Sequence, residues 1–370
     1  MVAASPTQLD TFTVALLEPV NWRSLDHALS PTNDSERLLF RNLFHNVIQL
    51  DCQGTVRPGI ADAWTFDPNA GWTFALPERA SFAPGWGATA DLVAERVDSA
   101  VVLDARHVRV PMRGRDSIPR FLADPALALA PGMASSGGEP GGIELPAPAG
   151  ATAVYFKFEP NGDGRDVLDR GADLVVTRDP ALVDYVSNRA EFATFTLPWS
   201  RTYVLAETGS EQGELVRALS TVSVRRSLAR DAVRGDARAA EPPYWWSDMT
   251  CPSPSTLPAQ SPSSRVVYRK DDAVARGLAE RGVALASTGA GLRAAGLDEA
   301  EFATAVRSGS ERAYVIGLPR QSLAPCRDVS TLPAGARLLP LIDTRAHAIV
   351  RKGAPPLTVD WDGTLRVMER

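Results

Sequence analysis

Short apolar runs that alternate large with small residues predict strands along the whole chain. Residues 71–76 show the pattern, because Trp72, Phe74 and Leu76 are separated by other residues, as a half-buried strand requires. Residues 11–17 form a β-prone run that ends before Pro19, and the residue before a proline is disfavoured in a helix. The other predicted strands cover residues 108–112, 154–158, 174–177, 265–268, 313–318 and 338–342.

Apolar residues spaced three or four apart predict helices between these strands. The best-marked start is Asp298, which forms a D-x-x-E variant of the capping box with Glu301. Leu297 and Phe302 occupy the positions of a hydrophobic staple. Further helices are predicted over residues 36–47, over residues 90–97 with Thr89 as cap, over residues 165–170, and after Asp271 or Asp272, where Val274, Leu278 and Leu285 lie close to one face.

Two stretches without periodicity interrupt this α/β pattern. Residues 131–151 are rich in Gly, Pro, Ala and Ser and are predicted to be a long loop or a connection between lobes. Residues 241–264 are rich in Pro and Ser around Tyr244, Trp245 and Trp246, and they separate the first two-thirds of the chain from the rest. Near the C-terminus, the Asp362-Gly363 pair predicts the tight turn of a terminal hairpin.

Composition narrows the class of protein. A chain of 370 residues is longer than one hydrophobic core usually supports, so two or more lobes are expected. The net charge of −5 and the absence of Lys/Arg runs argue against nucleic-acid binding. No stretch approaches the ~18 apolar residues of a membrane helix. Residues 1–10 lack the regions of a secretory signal, so either the protein is cytoplasmic or its signal has been removed.

Motifs of catalysis are scarce, which favours a binding protein over an enzyme. Gly289-Ala-Gly291 lacks the third glycine and the preceding strand of a dinucleotide site, and neither a phosphate-binding Gly-Lys-Ser/Thr loop nor a G-x-S-x-G elbow occurs. No cofactor is therefore predicted. The histidines lack zinc-site spacing and are interpreted as ordinary surface or core residues; they are His27, His45, His107 and His347.

Cysteine positions suggest one disulfide. Cys251 and Cys326 both lie in Pro-rich loop sequence on either side of one predicted lobe, and we predict that they pair. Two unrelated apolar residues or two free thiols remain the alternatives, because spacing alone does not decide connectivity. Cys52 is then a free thiol.

Several segments resemble one protein family in order and spacing. They are "LLEPVNWRSLDHAL", "RLLFRNLFHNVIQLDCQGTVRPGIADAWTFDPNAGWTFAL", "SFAPGWGATADLVAERVDSA", "DVLDRGADLVVTRDPALVDYV", "STVSVRRSLARDAV" and "RLLPLIDTRAHAIVRKGAPPLTVDWDGTL". This order resembles extracellular solute-binding protein family 5, the dipeptide-, oligopeptide- and nickel-binding type of ABC transporter substrate-binding protein. The resemblance covers nearly the whole chain and is weaker in its second half.

The resemblance implies an α/β, periplasmic-binding-protein-like fold with two lobes, a hinge and a subdomain on the first lobe. The expected lobe I comprises residues 1–49, 151–245 and 335–370, the inserted subdomain residues 50–150, and lobe II residues 246–334. Lobe II is shorter here than in members of the family. Ser135-Ser-Gly-Gly138 also replaces the family's Gly-x-Gly-Pro turn, which puts the depth of the pocket in question.

The resemblance also implies a function. We expect an extracytoplasmic, monomeric protein, periplasmic or anchored as a lipoprotein, that binds a peptide or similar small solute in an interlobe cleft by hinge closure. Its partners are then the solute and an ABC transporter permease. The alternative is a degenerate member that acts as a structural, sensor or protein-interaction module.

Aromatic and charged residues near the predicted lobe boundaries are the candidates for ligand contact, because a cleft holds its solute by stacking, hydrogen bonds and a few charges. Arg320 follows one predicted strand, and Asp343 and Arg345 follow another. Their charges suit the carboxylate and the amine of a zwitterionic solute. The alternative is an ordinary Asp–Arg pair on the surface. For the aromatic candidates the alternative is a core position. The aromatic candidates are Trp22, Trp199, Tyr203, Tyr244, Trp245 and Trp246, whereas Trp64, Trp72 and Trp361 are predicted to be core.

Overall fold

A computed structural model gives the fold. It describes residues 11–20, 31, 33–77, 81–83, 86–87, 89–112, 117–129, 141–145, 152–160, 162–208, 213–232, 236–242, 263–286, 291–323 and 331–367. The chain divides into two compact units. The first comprises Met1–Thr177, Ala181–Leu197 and His347–Arg370, and the second Arg178–Pro180 and Pro198–Ala346.

Helices and strands alternate as an α/β fold requires. The helices are α1 (Asp34–Leu43), α2 (Ala90–Arg96), α3 (Gly164–Asp169), α4 (Pro180–Val186), α5 (Glu214–Leu219), α6 (Val222–Ala232), α7 (Ala273–Ala286) and α8 (Glu299–Ser308). The strands are β1 (Thr11–Leu16), β2 (Ile48–Leu50), β3 (Val56–Pro58), β4 (Ala63–Asp67), β5 (Gly71–Ala75), β6 (Ser81–Ala83), β7 (Trp86–Gly87), β8 (Val101–Asp104), β9 (His107–Val110), β10 (Gly142–Leu145), β11 (Ala153–Phe158), β12 (Leu174–Thr177), β13 (Phe192–Glu207), β14 (Ala237–Ala239), β15 (Arg265–Arg269), β16 (Arg293–Leu297), β17 (Ala313–Pro319), β18 (Arg337–Arg351), β19 (Leu357–Val359) and β20 (Leu365–Val367).

In the first unit, β1 lies between β11 and β12 and is parallel to both. The unit therefore contains the predicted strand–helix–strand motif, with α3 as the connection. A separate four-stranded antiparallel sheet has the order β4-β5-β9-β8. Its cross-strand neighbours Trp64 and Phe74 have ring centroids 6.4 Å apart, and those of Phe66 and Trp72 are 5.1 Å apart. Such aromatic pairs stabilise one face of the sheet.

The second unit repeats the motif. Strand β15 is parallel to β16 and to β17, and α7 connects β15 to β16. On the other side of β17 lies β13, in antiparallel register, and β14 pairs antiparallel with β18. Apolar residues of α5, α6 and α7 pack on these strands around the buried side chains of Leu219, Leu228, Leu278 and Leu341. This core holds one end of β18 in place.

Local signals in the sequence predicted several boundaries correctly. Asp298 and Glu301 form the reciprocal capping box that starts α8, and Phe302 is buried beside Leu297. Thr89 accepts a hydrogen bond from the backbone amide of Leu92 at the start of α2, as predicted. Trp72 and Trp361 are buried core residues, and Trp64 is partly buried.

Other predictions needed correction. The described part of residues 131–151 includes β10, which pairs antiparallel with β11, so this stretch is not all loop. Helix α1 ends at Leu43, four residues before the predicted end at residue 47, and strand β2 follows at Ile48–Leu50. Leu285 is 44% exposed, because the core at the end of α7 takes in Val283 and Ala286 instead. Strand β13 was not predicted, since Pro198 and Arg201 break its apolar alternation.

The two units divide the chain at different residues from the predicted lobes. Residues 198–245 and 335–346, which the resemblance assigns to lobe I, belong to the second unit. Residues 50–150, the expected subdomain, lie within the first. Strands β13 and β18 each contribute residues to both units. The lobe assignment itself stays a prediction.

A buried ionic network secures the C-terminal hairpin of β19 and β20 to α1 in the first unit. Arg41 donates from Nη2 to Asp362 at 2.8 Å, and Arg366 donates from Nε to Asp360 at 2.8 Å. Arg366 also donates to the backbone oxygen of Arg41. The side chains of Arg41, Asp360, Asp362 and Arg366 are all at most 13% exposed. This cluster is called the hairpin network below.

Candidate functional site

A cluster of aromatic, basic and acidic side chains lies on strands β13, β14 and β18 of the second unit. Asp343 and Arg345 are two residues apart on β18 and so share one face of the strand. Arg238 on β14 is directly opposite Asp343 in the antiparallel register. Trp199 lies on β13, the neighbour of β18 in the sheet. The same face of β18 is apolar at Leu341 and becomes ionic at Asp343.

Asp343 is the centre of this cluster. Its carboxylate is fully buried, and Thr202 donates a hydrogen bond to Oδ1 at 2.7 Å. Oδ2 lies 3.3 Å from Nε of Arg238 and 3.5 Å from Nε of Arg320. The backbone amide of Glu241 lies 3.5 Å from the same oxygen. A buried carboxylate needs such partners, because an unpaired charge is costly to remove from water.

Two arginines stack on Trp199. The guanidinium carbon of Arg238 is 4.6 Å from the centroid of the indole ring, and that of Arg345 is 4.7 Å from it. Both distances are within the range of a cation–π interaction. Arg345 is further held by Asp236, whose Oδ1 accepts from Nε at 3.1 Å. Trp199 therefore contacts two arginines whose side chains remain 35% and 30% exposed.

Further polar groups border this cluster. Arg178 donates to the hydroxyl of Thr344 at 2.9 Å and to that of Ser200 at 3.1 Å. The backbone amide of Arg320 donates to the carbonyl of Ser200 at 2.8 Å. Arg178, Arg238, Arg320, Arg345, Trp199, Asp236, Glu241 and Asp343 are called the arginine cluster below.

The structure brings together four of the predicted site residues, which are Trp199, Arg320, Asp343 and Arg345. Tyr203 occupies the core, the alternative weighed for it, with 1% of its surface exposed. Its hydroxyl donates to Asp272 at 3.1 Å, and burial followed by the Asp272 charge raises the pKa of Tyr203. Ligand contact by Tyr203 stays a prediction.

The remaining predicted residues lie outside the described part of the chain. They are Trp22, Tyr244, Trp245, Trp246, Cys251 and Cys326. The Cys251–Cys326 disulfide accordingly stays a prediction. Cys52 is an exposed free thiol.

Sequence reasoning missed Arg238, Thr202 and Arg178. Arg238 stands in a three-residue strand between two alanines, too short for a periodic signal. Arg178 and Thr202 gain their roles only from partners far along the chain, at separations of 166 and 141 residues. No local pattern in the sequence marks such contacts.

Within the described ranges, no three His, Cys, Asp or Glu side chains come together in a way that suits a metal ion. None of the helices that the structure describes has the length and apolar character needed to cross a membrane.

Comparison with known proteins shows what the chain resembles. No protein-family model matches the sequence. No curated protein matches it either. Solved structures do match: the murein tripeptide binding protein MppA of Escherichia coli aligns over 97% of this chain and 99% of its own, with a TM-score of 0.66 and 12% identity. A dipeptide binding protein from Pseudoalteromonas sp. SM9913, in complex with Met-Leu, aligns over the same shares with a TM-score of 0.65 and 12% identity.

A third match has a different kind of ligand. NikZ from Campylobacter jejuni, in complex with Ni(L-His), aligns over 96% of this chain and 97% of its own, with a TM-score of 0.62 and 11% identity. The chain therefore has the periplasmic-binding-protein-like α/β fold of these solute-binding proteins. This confirms, at the level of the fold, the resemblance that the sequence indicated.

Proposed function

We propose that this protein is the extracytoplasmic solute-binding component of an ABC importer. The observation that carries the proposal is that the fold matches, over nearly the whole chain, structures of proteins that bind a murein tripeptide, Met-Leu and Ni(L-His). Fold alone does not assign function, so the site must support it. The arginine cluster does so, because it combines an aromatic ring, hydrogen-bond donors and buried charge on strands.

The plain alternative for these side chains is a surface ion-pair patch. Surface pairs place both partners in water and contribute little. Asp343 is instead fully buried, and two arginines and a threonine hydroxyl are turned towards it. A carboxylate held in this way orients the surrounding donors, as the fixed polar groups of a binding site do. A small peptide or similar organic solute suits such donors. The permease as partner and hinge closure stay predictions.

A thermal-shift panel tests the function. The panel contains methionyl-leucine, agropinic acid, mannopinic acid and Ni(L-His), which are ligands of the matching structures. Freshly purified protein is also analysed by native mass spectrometry for a solute carried over from the expression host. We expect a solute that raises the melting temperature in proportion to the logarithm of its concentration. If no panel member shifts it and no solute is carried over, the proposed function is contradicted and a structural or interaction module is favoured.

A further inference from the structure

Strand β8 is an open edge of the four-stranded sheet in the first unit, and its apolar side chains are exposed. It pairs with β9 on one side, and no strand in the described part of the chain pairs with its other side. The side chains of Val101, Val102 and Leu103 are 51%, 37% and 42% exposed. An open edge of this kind is a template for pairing with another chain.

The opposite edge of the same sheet is formed by β4, and its residues protect it. Ala63, Thr65 and Asp67 occupy the exposed positions of β4. Trp64 and Phe66 are partly buried, and their rings pack on aromatic rings of β5. Small, polar and charged side chains at an exposed edge oppose the addition of a further strand. The two edges of one sheet therefore differ, and only β8 presents consecutive apolar side chains to water.

The apolar surface of β8 extends over both faces of the sheet. Val102 is opposite Val108 of β9, which is buried, so Val102 continues the apolar face of the sheet to its edge. Val101 is opposite Arg109 and lies on the other face. The register shifts after Val102, which leaves Leu103 as the extra residue of a bulge. A partner strand at this edge would remove apolar surface from water on both faces.

The charges that flank β8 suit a second copy of the chain. Asp98 precedes the strand and Arg106 follows it, and both are exposed. Neither side chain forms an ion pair with another described residue. Antiparallel pairing of two β8 strands about a two-fold axis brings Asp98 of each copy towards Arg106 of the other. Parallel pairing would bring like charges together instead, which is unfavourable.

We propose that the protein self-associates through β8, with two copies paired antiparallel across a two-fold axis into one continuous sheet. The contact is small, because β8 has four residues, and small interfaces belong to weak and transient complexes. We therefore expect a reversible dimer with a micromolar dissociation constant. The proposal departs from the monomer that the family resemblance implies, and it does not depend on the solute-binding function.

Sedimentation velocity over a protein concentration of about 1–500 µM tests the dimer. Wild type should change from monomer to dimer as the concentration rises. Val102→Lys places a charge on the open edge and should raise the dissociation constant about tenfold or more. Thr65→Lys is the matched control, because it places the same charge at an exposed position of β4 and should leave the dimer unchanged. Circular dichroism and melting temperatures report whether each variant is folded.

Reversal of the flanking charges tests the antiparallel orientation. Asp98→Arg and Arg106→Asp should each weaken the dimer, because each variant brings like charges together at both ends of the contact. An equimolar mixture of the two variants should associate more tightly than either variant alone. In the mixed dimer, each arginine again lies near an aspartate of the other copy.

The other outcomes contradict the proposal. A monomer at every concentration overturns it, and so does a dimer that Val102→Lys leaves unchanged, because the contact then lies elsewhere. A mixture of the charge variants that associates no more than its components argues against antiparallel pairing. Growth beyond a dimer also counts against it, because a two-fold contact closes after two copies. None of these results bears on the proposed solute binding.

Discussion

The hairpin network and the arginine cluster are built from the same two residue types and differ in how closed they are. In the first unit, the side chains of Arg41, Asp360, Asp362 and Arg366 are at most 13% exposed, and each is paired. In the second unit, Asp343 is fully buried, but Arg238 and Arg345 are about a third exposed. A closed network suits a structural role, whereas the exposed arginine side chains of the second cluster suit the solute site proposed above. The two clusters share residue types and differ in the exposure of their arginines.

The largest expected effect is in the hairpin network. Asp362→Ala leaves the buried Arg41 guanidinium without its 2.8 Å partner, and breaking a buried pair typically costs about 3–5 kcal/mol. We expect a marked fall in the free energy of unfolding, measured in urea by circular dichroism. Asp231→Ala is the control, since Asp231 is 52% exposed and should cost at most about 1 kcal/mol. Equal losses in both variants would show that the hairpin network is no more closed than a surface pair.

Acid should weaken the hairpin network. Burial opposes ionisation of Asp362, but the charges of Arg41 and Arg37 outweigh it and hold the pKa of that carboxyl below its ordinary value. A lowered pKa stabilises the fold above the ordinary Asp pKa of about 3.9, and this stability is lost as pH falls towards the lowered value. Asp362→Asn removes the charge, so the difference in unfolding free energy between wild type and variant should shrink from pH 6 to pH 3. A constant difference would contradict this assignment.

The stability of the fold should also depend on pH in a higher range, because of His45. Burial, followed by the nearby charge of Arg366, lowers the pKa of His45 to about 4. The unfolded chain titrates near the ordinary value of about 6.5, so stability is complete above that pH and falls as pH drops from there towards 4. His45→Gln should flatten the stability profile in this window. A His45→Gln profile as steep as that of wild type in this window would contradict the assignment.

A smaller effect is expected inside the arginine cluster. Thr202→Val removes the hydroxyl that donates to Asp343 Oδ1 at 2.7 Å, and a buried acceptor left unsatisfied costs about 1–3 kcal/mol. Thermal unfolding should show the loss, whereas Thr65→Val, at an exposed position of β4, should not. No loss in Thr202→Val would mean that the arginines alone satisfy Asp343.

The smallest expected effect is that of Arg345→Gln, which tests the difference between the arginine cluster and the hairpin network most directly. Arg345→Gln should change the unfolding free energy by no more than about 1 kcal/mol, because the Arg345 side chain is 30% exposed and the glutamine amide keeps an N–H donor for the buried Asp236. A loss as large as that of Asp362→Ala would make the arginine cluster a structural network like the first. Urea unfolding of both variants under one condition decides this.

Local sequence determined those elements whose stabilising partners lie a few residues away. The capping box at Asp298, the Thr89 cap and the Asp362-Gly363 turn were all predicted, because each depends on contacts within four residues. The α/β order, with strand–helix–strand motifs, followed from the spacing of apolar residues. The resemblance to solute-binding proteins also came from the sequence, and the matching structures agree with it in fold.

Only the tertiary structure decided the arginine cluster. The sequence marked Trp199, Arg320, Asp343 and Arg345 as candidates to line one cleft, but it did not show which of them contact each other or the same partners. Arg238 was missed altogether, because its partner Asp343 is 105 residues away. Pairing of distant strands creates such neighbours, and it depends on the whole fold rather than on any local pattern of apolar and polar residues.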